Sequence, residues 1–431
     1  MSDEKKLTKT EKSWILYDVA NSAFVLIVTT TLMPIFHKDF VAAGSGALST
    51  ADWGFAVSFS SLILAVLAPI LGTIADYRGM KKKFFLGALF TGVAFTLLLP
   101  LIRQGQVLFA LFLYLVARVA YSGANIFYDS FLTDVTTDER MDRVSTLGFG
   151  WGYIGSCIPF LAAIGLIVGY QLASGTSEIS PLMMKLSFVI TALWWFLFSL
   201  PMIKNVRQVH GIDPERGMVG KSFVRLWTTL KEISRYKTTF GFLIAYFFYI
   251  DGVSTIISMA TAYGIDLGFG ATTLIAVILF IQVVAWPCAL IFGTLAKKYS
   301  AKKMLFAGIL VYTAVTLIAF LLPSIRSESF KIGLFWFMAF LVATSQGGIQ
   351  ALSRSFFGKT LPKEKSAEFF GFYNIFGKFA AIVGPLLMAL FTRFSGDSRY
   401  GVLSILLLFV AGALLLARVP EPGRGGIAGK G

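Results

Sequence analysis

Charge is what this sequence has least of. Only 14% of its 431 residues are Asp, Glu, Lys or Arg, against about 25% in a soluble globular protein, so a surface solvated by water on all sides is excluded. Acid is scarcer than base, with 23 Asp and Glu beside 38 Lys and Arg. Cysteine is nearly absent: Cys157 and Cys288 lie in apolar runs, where a thiol behaves as a small hydrophobe, and no disulfide framework is expected. The two histidines, His37 and His210, have no ligand-type neighbours in sequence, so no metal is assigned. No nucleophile stands with a base, which argues against an enzyme, and no cofactor is expected. The opening MSDEKKLTKTEKS is longer than the first segment of a signal peptide, and the run behind it lacks a cleavage site. The first apolar run is therefore expected to remain in the mature chain.

What fills the sequence instead is apolar residues, 56% of the chain, with a mean hydropathy of +0.75. They gather into runs long enough to span a bilayer, at 14–36, 53–75, 84–102, 107–129, 144–168 and 182–203, and again at 240–263, 272–295, 304–323, 332–352, 369–391 and 400–418. The fold class expected is an all-α integral membrane protein with twelve transmembrane helices in two pseudo-repeated six-helix bundles. Of the Lys and Arg, 29 fall on connections on the side of the N-terminus and 7 on the other. By the positive-inside rule both termini are cytoplasmic, and a multi-pass protein of the cell (plasma) membrane is expected. The net charge of +15 then faces anionic lipid rather than nucleic acid, because no aromatic platform interleaves with it on a soluble domain.

Four segments follow: a bundle at 1–203, a cytoplasmic linker at 204–239, a second bundle at 240–418 and a flexible tail at 419–431. Within the linker, Phe223, Leu226, Trp227, Leu230 and Ile233 recur at helical spacing opposite Lys221, Arg225, Lys231 and Arg235, as in a helix lying on the leaflet surface. The two bundles echo each other. Asp18-x-x-Asn21-Ser22 corresponds to Asp251-x-x-Ser254-Thr255, Asn125-x-x-x-Asp129 to Gln350-x-x-x-Arg354, and Gly72 with Lys81 and Lys82 to Gly293 with Lys302 and Lys303. Repeated six-helix halves point to a transporter with its site at the repeat interface.

The loop GTIADYRGMKK, from Gly72 to Lys82, resembles the signature loop of the major facilitator superfamily. That resemblance implies that Gly72 and Gly79 let helices approach, that Asp76 faces the start of the eleventh span around Phe369, and that Arg78, Lys81 and Lys82 hold the loop inside. The copy in the second half, GTLAKKYSAKK, has Lys297 in place of the acid, so only the first is expected to latch in full. A wider resemblance runs through YDVANSAF (17–24), RVSTLGFGWGYIG (143–155), AYFFYIDG (245–252), QGGIQALSRSFF (346–357) and EFFGFYNIFGKFAAIVGPLL (368–387). These are similar to the branch that includes the fungal autophagy-related vacuolar amino-acid effluxer and its bacterial relatives. That family implies transport of small solutes, amino acids foremost, without a cofactor. The family's Trp after the first-span Asp is Val19 here, which bears on substrate size.

Ionisable groups inside spans carry the functional reading. Each costs about 2.5 to 3.5 kcal/mol at the bilayer centre, so Asp18, Arg118, Asp251 and Lys378 must face a cavity or one another. Arg118, with Lys378 as a second candidate, suits a substrate carboxylate, since a guanidinium meets it bidentately. Asn21, Asn125, Gln346, Gln350 and Asn374 offer neutral hydrogen bonds. Asp18 and Asp251 are candidates for a substrate ammonium or a coupling proton. The alternative is an internal ion pair such as Asp251 with Lys378. Asp129 and Arg354, or neighbours such as Asp134 and Arg140, are candidates for an inner gate. The function expected is a proton-coupled secondary transporter of amino-acid-like solutes, working as a monomer in the bilayer, with efflux favoured. An exporter of hydrophobic drugs or lipids, or a non-transporting membrane sensor, remain the competing readings.

Overall fold

A computed structural model describes residues 6–43, 47–176, 178–214, 218–232, 236–266, 269 and 271–422. Among these the chain is almost wholly helical, with one isolated parallel bridge between Tyr77 and Ile212. The helices are α1 (Lys9–Val41), α2 (Ala47–Ala75), α3 (Met80–Leu101), α4 (Val107–Val135), α5 (Asp138–Ser174) and α6 (Pro181–Asn205). A connecting helix α7 (Met218–Glu232) follows, and then α8 (Lys237–Asp266), α9 (Ala271–Tyr299), α10 (Ala301–Ser324), α11 (Glu328–Thr360), α12 (Lys363–Ser395) and α13 (Arg399–Arg418). Eleven of them are long and apolar enough to cross a membrane, and α2, whose described stretch Leu62–Ala75 is apolar, completes the twelve. Leu108, Leu172 and Phe394, each more than four-fifths exposed, show that apolar side chains face outward, as a lipid solvent requires.

Several helices outrun the apolar segments that announced them, because polar residues cap or extend their ends. α1 starts at Lys9 rather than at Trp14, where its apolar run begins. There the Thr8 hydroxyl accepts from the Glu11 N–H at 3.1 Å while the Glu11 carboxylate accepts from the Thr8 N–H at 2.8 Å, a reciprocal capping box. Further along, Phe24–Leu32 widens into π-helical turns. The hydroxyls of Thr30 and Thr31 donate to the Leu26 carbonyl at 2.8 and 2.7 Å, giving the altered ladder side-chain donors within the apolar run.

The chain divides into two compact units, the first comprising Met1–Val135, Trp151–Leu226 and Lys363–Gly371, the second Thr136–Gly150, Trp227–Pro362 and Phe372–Gly431. The core of unit 1 is aromatic. Trp14 stacks on Tyr128 at 4.5 Å and donates its indole N–H to the Tyr128 carbonyl, while Tyr17 packs edge-on to Phe85. Phe24, Tyr121 and Trp195 form a second group above it. Unit 2 uses the same device with other residues. Phe242 stacks on Phe356, Tyr246 on Tyr373, and the Tyr249 hydroxyl meets that of Ser353 at 2.6 Å. Such pairs add about 0.5–1.5 kcal/mol each beyond the area they bury.

On α7, Ser222 and Thr229 are buried while Val224 and Trp227 are exposed. Trp227 lies under the Lys231 ammonium at 5.3 Å, so these two share a face rather than opposing each other, as residues four apart on a helix must. The side chains of Phe223, Arg225, Leu226 and Leu230 lie outside those described, as do Ile233 and Arg235 altogether.

Candidate functional site

Unit 1 holds a loop between α2 and α3 that clasps the start of α12. At the end of α2, Gly72 approaches so closely that a Cβ there would stand 2.6 Å from the Ala367 carbonyl oxygen. That approach puts the fully buried Asp76 against the first turn of α12. Its two carboxylate oxygens accept from the N–H groups of Ala367 at 2.8 Å and Glu368 at 3.0 Å. A helix N-terminus presents unpaired N–H groups and a positive dipole end, so an acid is the residue type that fits. The Asp76 carboxyl is pushed up to about 8, chiefly by burial and also by Glu368, against Lys81 and the two N–H groups, which draw it down.

Lys81, on α3, is fully buried and donates to the Asp134 carboxylate and to the Ser366 hydroxyl, both at 2.7 Å. Asp134 also accepts from the backbone N–H groups of Val209 and His210, at 3.0 and 2.8 Å. Gln208 accepts from the N–H groups of Gly79 and Lys81. The strand-like pairing of Arg78 N–H with the Ile212 carbonyl ties the same loop to the connection after α6. Gly79 begins α3 at φ +80°, a conformation few other residues adopt. Arg78 is exposed beside Asp213, and Lys82 caps the end of α6 by donating to the carbonyls of Ile203 and Val206.

Sequence reasoning did not single out Gln208, His210, Ser366 or Glu368. Each lies more than seventy residues from its partners in this network, and nothing local in sequence points to them.

The remaining candidates of unit 1 line α1 and α4. Asp18 and Asn21 are buried on α1. On α4, Arg118, Asn125 and Asp129 are half-buried, and the Arg118 guanidinium donates to the Tyr114 hydroxyl at 3.2 Å, a neutral partner. A cavity of about 460 Å³ among α2, α3 and α4 is lined by side chains such as Leu64, Leu71, Phe84 and Val119. It is apolar and contains none of the candidate polar residues.

In unit 2, Gln346 and Gln350 lie one turn apart on α11, both half-buried. Arg354, one turn further and buried, donates to the hydroxyl and carbonyl of Ser145 at 2.9 and 3.1 Å and lies over the Phe149 ring at 4.3 Å. Beside it Asp142 accepts from the Ser355 hydroxyl at 2.7 Å and pairs with Lys359 at 2.6 Å. Arg354 and Asp129 belong to different units, and Arg140, named with them, opens α5. Asp251, fully buried on α8, accepts from the Gly384 N–H of α12 at 3.0 Å. Asn374 is half-buried on α12, and the side chain of Lys378 lies outside those described.

Comparison with known proteins places this architecture. The family model described as "Vacuole effluxer Atg22 like" matches residues 49–424. The MFS-type transporter YxiO of Bacillus subtilis is 50% identical over 97% of this chain and 96% of its own length. Autophagy-related protein 22-1 of Aspergillus fumigatus is 27% identical over 69% of this chain, a match that spans 52% of the fungal protein. Among solved structures, the proton:xylose symporter XylE superposes with a TM-score of 0.72 at 12% identity over 96% of both chains. The human organic anion transporter MFSD10 superposes with 0.67 at 14% identity, over 95% of this chain and 99% of its own. The chain is therefore a multi-pass membrane transporter of the major facilitator superfamily, and it belongs to the Atg22-like vacuole effluxer family.

Proposed function

We propose that the chain is a secondary transporter that moves small polar solutes, amino acids foremost, by alternating access coupled to protons, with efflux as the favoured direction. It works as a monomer in the plasma membrane with both termini in the cytoplasm. The effluxer description of its family supports the direction. The excess of Lys and Arg on one side of the spans supports the orientation. The two bundles at 1–203 and 240–418, joined by the linker at 204–239, are its moving parts.

The observation that carries the substrate class is Arg118. It is a half-buried guanidinium within a span, and its described hydrogen bond goes to an uncharged tyrosine. A cation kept at that depth costs energy unless an anion joins it, and a carboxylate matches its planar fork. In unit 1, Asn21 and Asn125 would add neutral hydrogen bonds; in unit 2, Gln346, Gln350 and Asn374 would do so, with Lys378 as a second cation. Asp18 and Asp251 would take the ammonium group or the proton. One proton falling through about 100 mV supplies roughly 2.3 kcal/mol, and each pH unit adds about 1.4, enough for one proton per cycle.

The test is counterflow. Proteoliposomes loaded with a mixture of amino acids should take up labelled amino acids saturably, and a pH gradient should drive accumulation. Losing a charge-assisted hydrogen bond costs about 1.5–3 kcal/mol, so Arg118→Ala should raise KM by roughly ten- to a hundredfold. Unchanged kinetics in correctly inserted Arg118→Ala protein would refute the role.

A further inference from the structure

Within unit 2 the environment of Asp251 is lopsided. Oδ1 accepts twice, from the Gly384 N–H at 3.0 Å and from the Thr255 hydroxyl one turn along α8 at 3.4 Å. Oδ2 is buried and has no hydrogen-bond partner among the described residues. The residue as a whole is 0% exposed. An ionised carboxylate with one bare oxygen is costly in hydrocarbon. A neutral acid fits the same geometry: its proton sits on Oδ2 and its carbonyl oxygen takes both donors. Zero exposure also leaves no path for a solute's ammonium group to reach it here.

The partner on α12 is equally particular. A Cβ at Gly384 would collide with the Thr255 hydroxyl and stand 2.9 Å from Oδ1, so only glycine lets the carboxyl touch this backbone. The next residue, Pro385, lies inside α12 and has no N–H, which deprives the carbonyl one turn earlier of its usual donor. The ladder of α12 is thus weakest where Asp251 grips it, and proline positions are where helices bend. Elements packed against α8 bring few titratable groups. α10 carries Tyr312, and α11 carries Arg354, which is engaged with Ser145. α13 packs Phe409 on the neighbouring Gly252, and α12 carries Lys378, whose side chain is not described.

We propose that Asp251 carries the coupling proton and that its protonation sets the bend of α12 at Gly384-Pro385. The inference rests on the proton-coupled reading above and chooses between the two acids left open there. When the proton leaves Oδ2 for water, that oxygen needs a donor, and the donors already held at this carboxyl are the Thr255 hydroxyl and the Gly384 N–H. Moving the second means moving the α12 backbone. Thr255 and Gly384 are positioning residues in this scheme.

The test needs no known substrate. Infrared spectra of purified Asp76→Asn protein in nanodiscs, in which the buried Asp76 carboxyl, itself pushed up to about 8, is silenced, should contain in a pH series a carboxylic-acid carbonyl band that disappears as the pH rises. The variants compared with it by infrared are made in that background. The band should be missing from Asp251→Asn, and its midpoint should be displaced in Thr255→Val and Gly384→Ala. In parallel, wild-type proteoliposomes given labelled amino acids should accumulate them under a pH gradient, and Asp251→Asn should lose that response. If the band persists in Asp251→Asn, or that variant still responds to the gradient, the assignment to Asp251 is overturned while proton coupling stands. If wild-type exchange ignores the gradient, the coupled reading itself falls, and the inference with it. Unshifted midpoints in both Thr255→Val and Gly384→Ala would overturn the link to α12.

Discussion

The loop between α2 and α3 in unit 1 and its counterpart between α9 and α10 in unit 2 descend from one pattern and hold their units together by different chemistry. In unit 1 the glycine of the pattern, Gly72, abuts backbone, and the acid Asp76 binds the N–H groups that open α12. In unit 2 the matching Gly293 abuts a side chain, that of Thr146, and the position of the acid is Lys297, which is exposed. There the start of α5 is held from α11 instead, by Arg354 on Ser145 and by Lys359 and Ser355 on Asp142. One device is common to both. Lys82 caps the last carbonyls of α6, and Lys302 caps those of α13, donating to Ala417 and Val419 at 2.9 and 2.6 Å. These capping lysines are one residue out of step with the sequence pairing of Lys81 with Lys302. The lesson is that a repeated fold preserves the need to fasten a helix start but not the charge that fastens it.

The largest effect should come from the buried ion pair of Lys81 with Asp134 in unit 1. Lys81→Ala strands the Asp134 carboxylate in a fully buried position and should destabilise the protein by about 3–5 kcal/mol, read as a loss of melting temperature in detergent. Lys302→Ala, at a half-buried cap, should cost under about 1 kcal/mol. Next come the two glycines. Gly72→Ala forces a methyl onto backbone and should cost about 1–3 kcal/mol. Gly293→Ala meets first the Thr146 side chain, so Thr146→Ala in the same chain, which removes the closest atom and leaves Cβ at 2.9 Å, should restore part of its stability, whereas no side-chain truncation can rescue Gly72→Ala.

Smaller is the acid itself: Asp76→Ala removes two hydrogen bonds at a helix start and should cost about 0.5–2 kcal/mol. Lys297→Ala, on the exposed surface, should stay within about 0.5 kcal/mol of wild type. The position of the acid is sharpened by its dependence on pH. Because the folded Asp76 carboxyl lies near 8, above its ordinary 3.8, its contribution to stability is complete below about pH 4 and is lost as the pH rises through 8. Melting temperatures measured across that window should fall more steeply for wild type than for Asp76→Asn. Parallel curves would remove Asp76 as the titrating group.

The fold was legible because twelve apolar runs and their basic connections are local signals, each readable within about twenty residues. The helix ends were less so, since Thr8 and Glu11 extend α1 by satisfying its first N–H groups rather than by being apolar. The resemblance of the Gly72–Lys82 loop to the superfamily's signature loop pointed to the start of the helix at Phe369, and the carboxylate meets Ala367 and Glu368. What surrounds it was not legible. The His210 and Gln208 contacts come from a connection without periodicity, and nothing near Arg354 in sequence points to Ser145, 209 residues away. Gly384 illustrates the same limit. It reads as an ordinary helix breaker beside a proline until Asp251 is placed against it.

The contrast between the two fastenings is tested most directly by amide hydrogen exchange at the starts of α12 and α5, comparing wild type with Asp76→Ala. The account predicts that Ala367 and Glu368 are protected in wild type and lose much of that protection in the variant, while Asp142 to Ser145 exchange as before. Unchanged protection at Ala367 and Glu368 would contradict it.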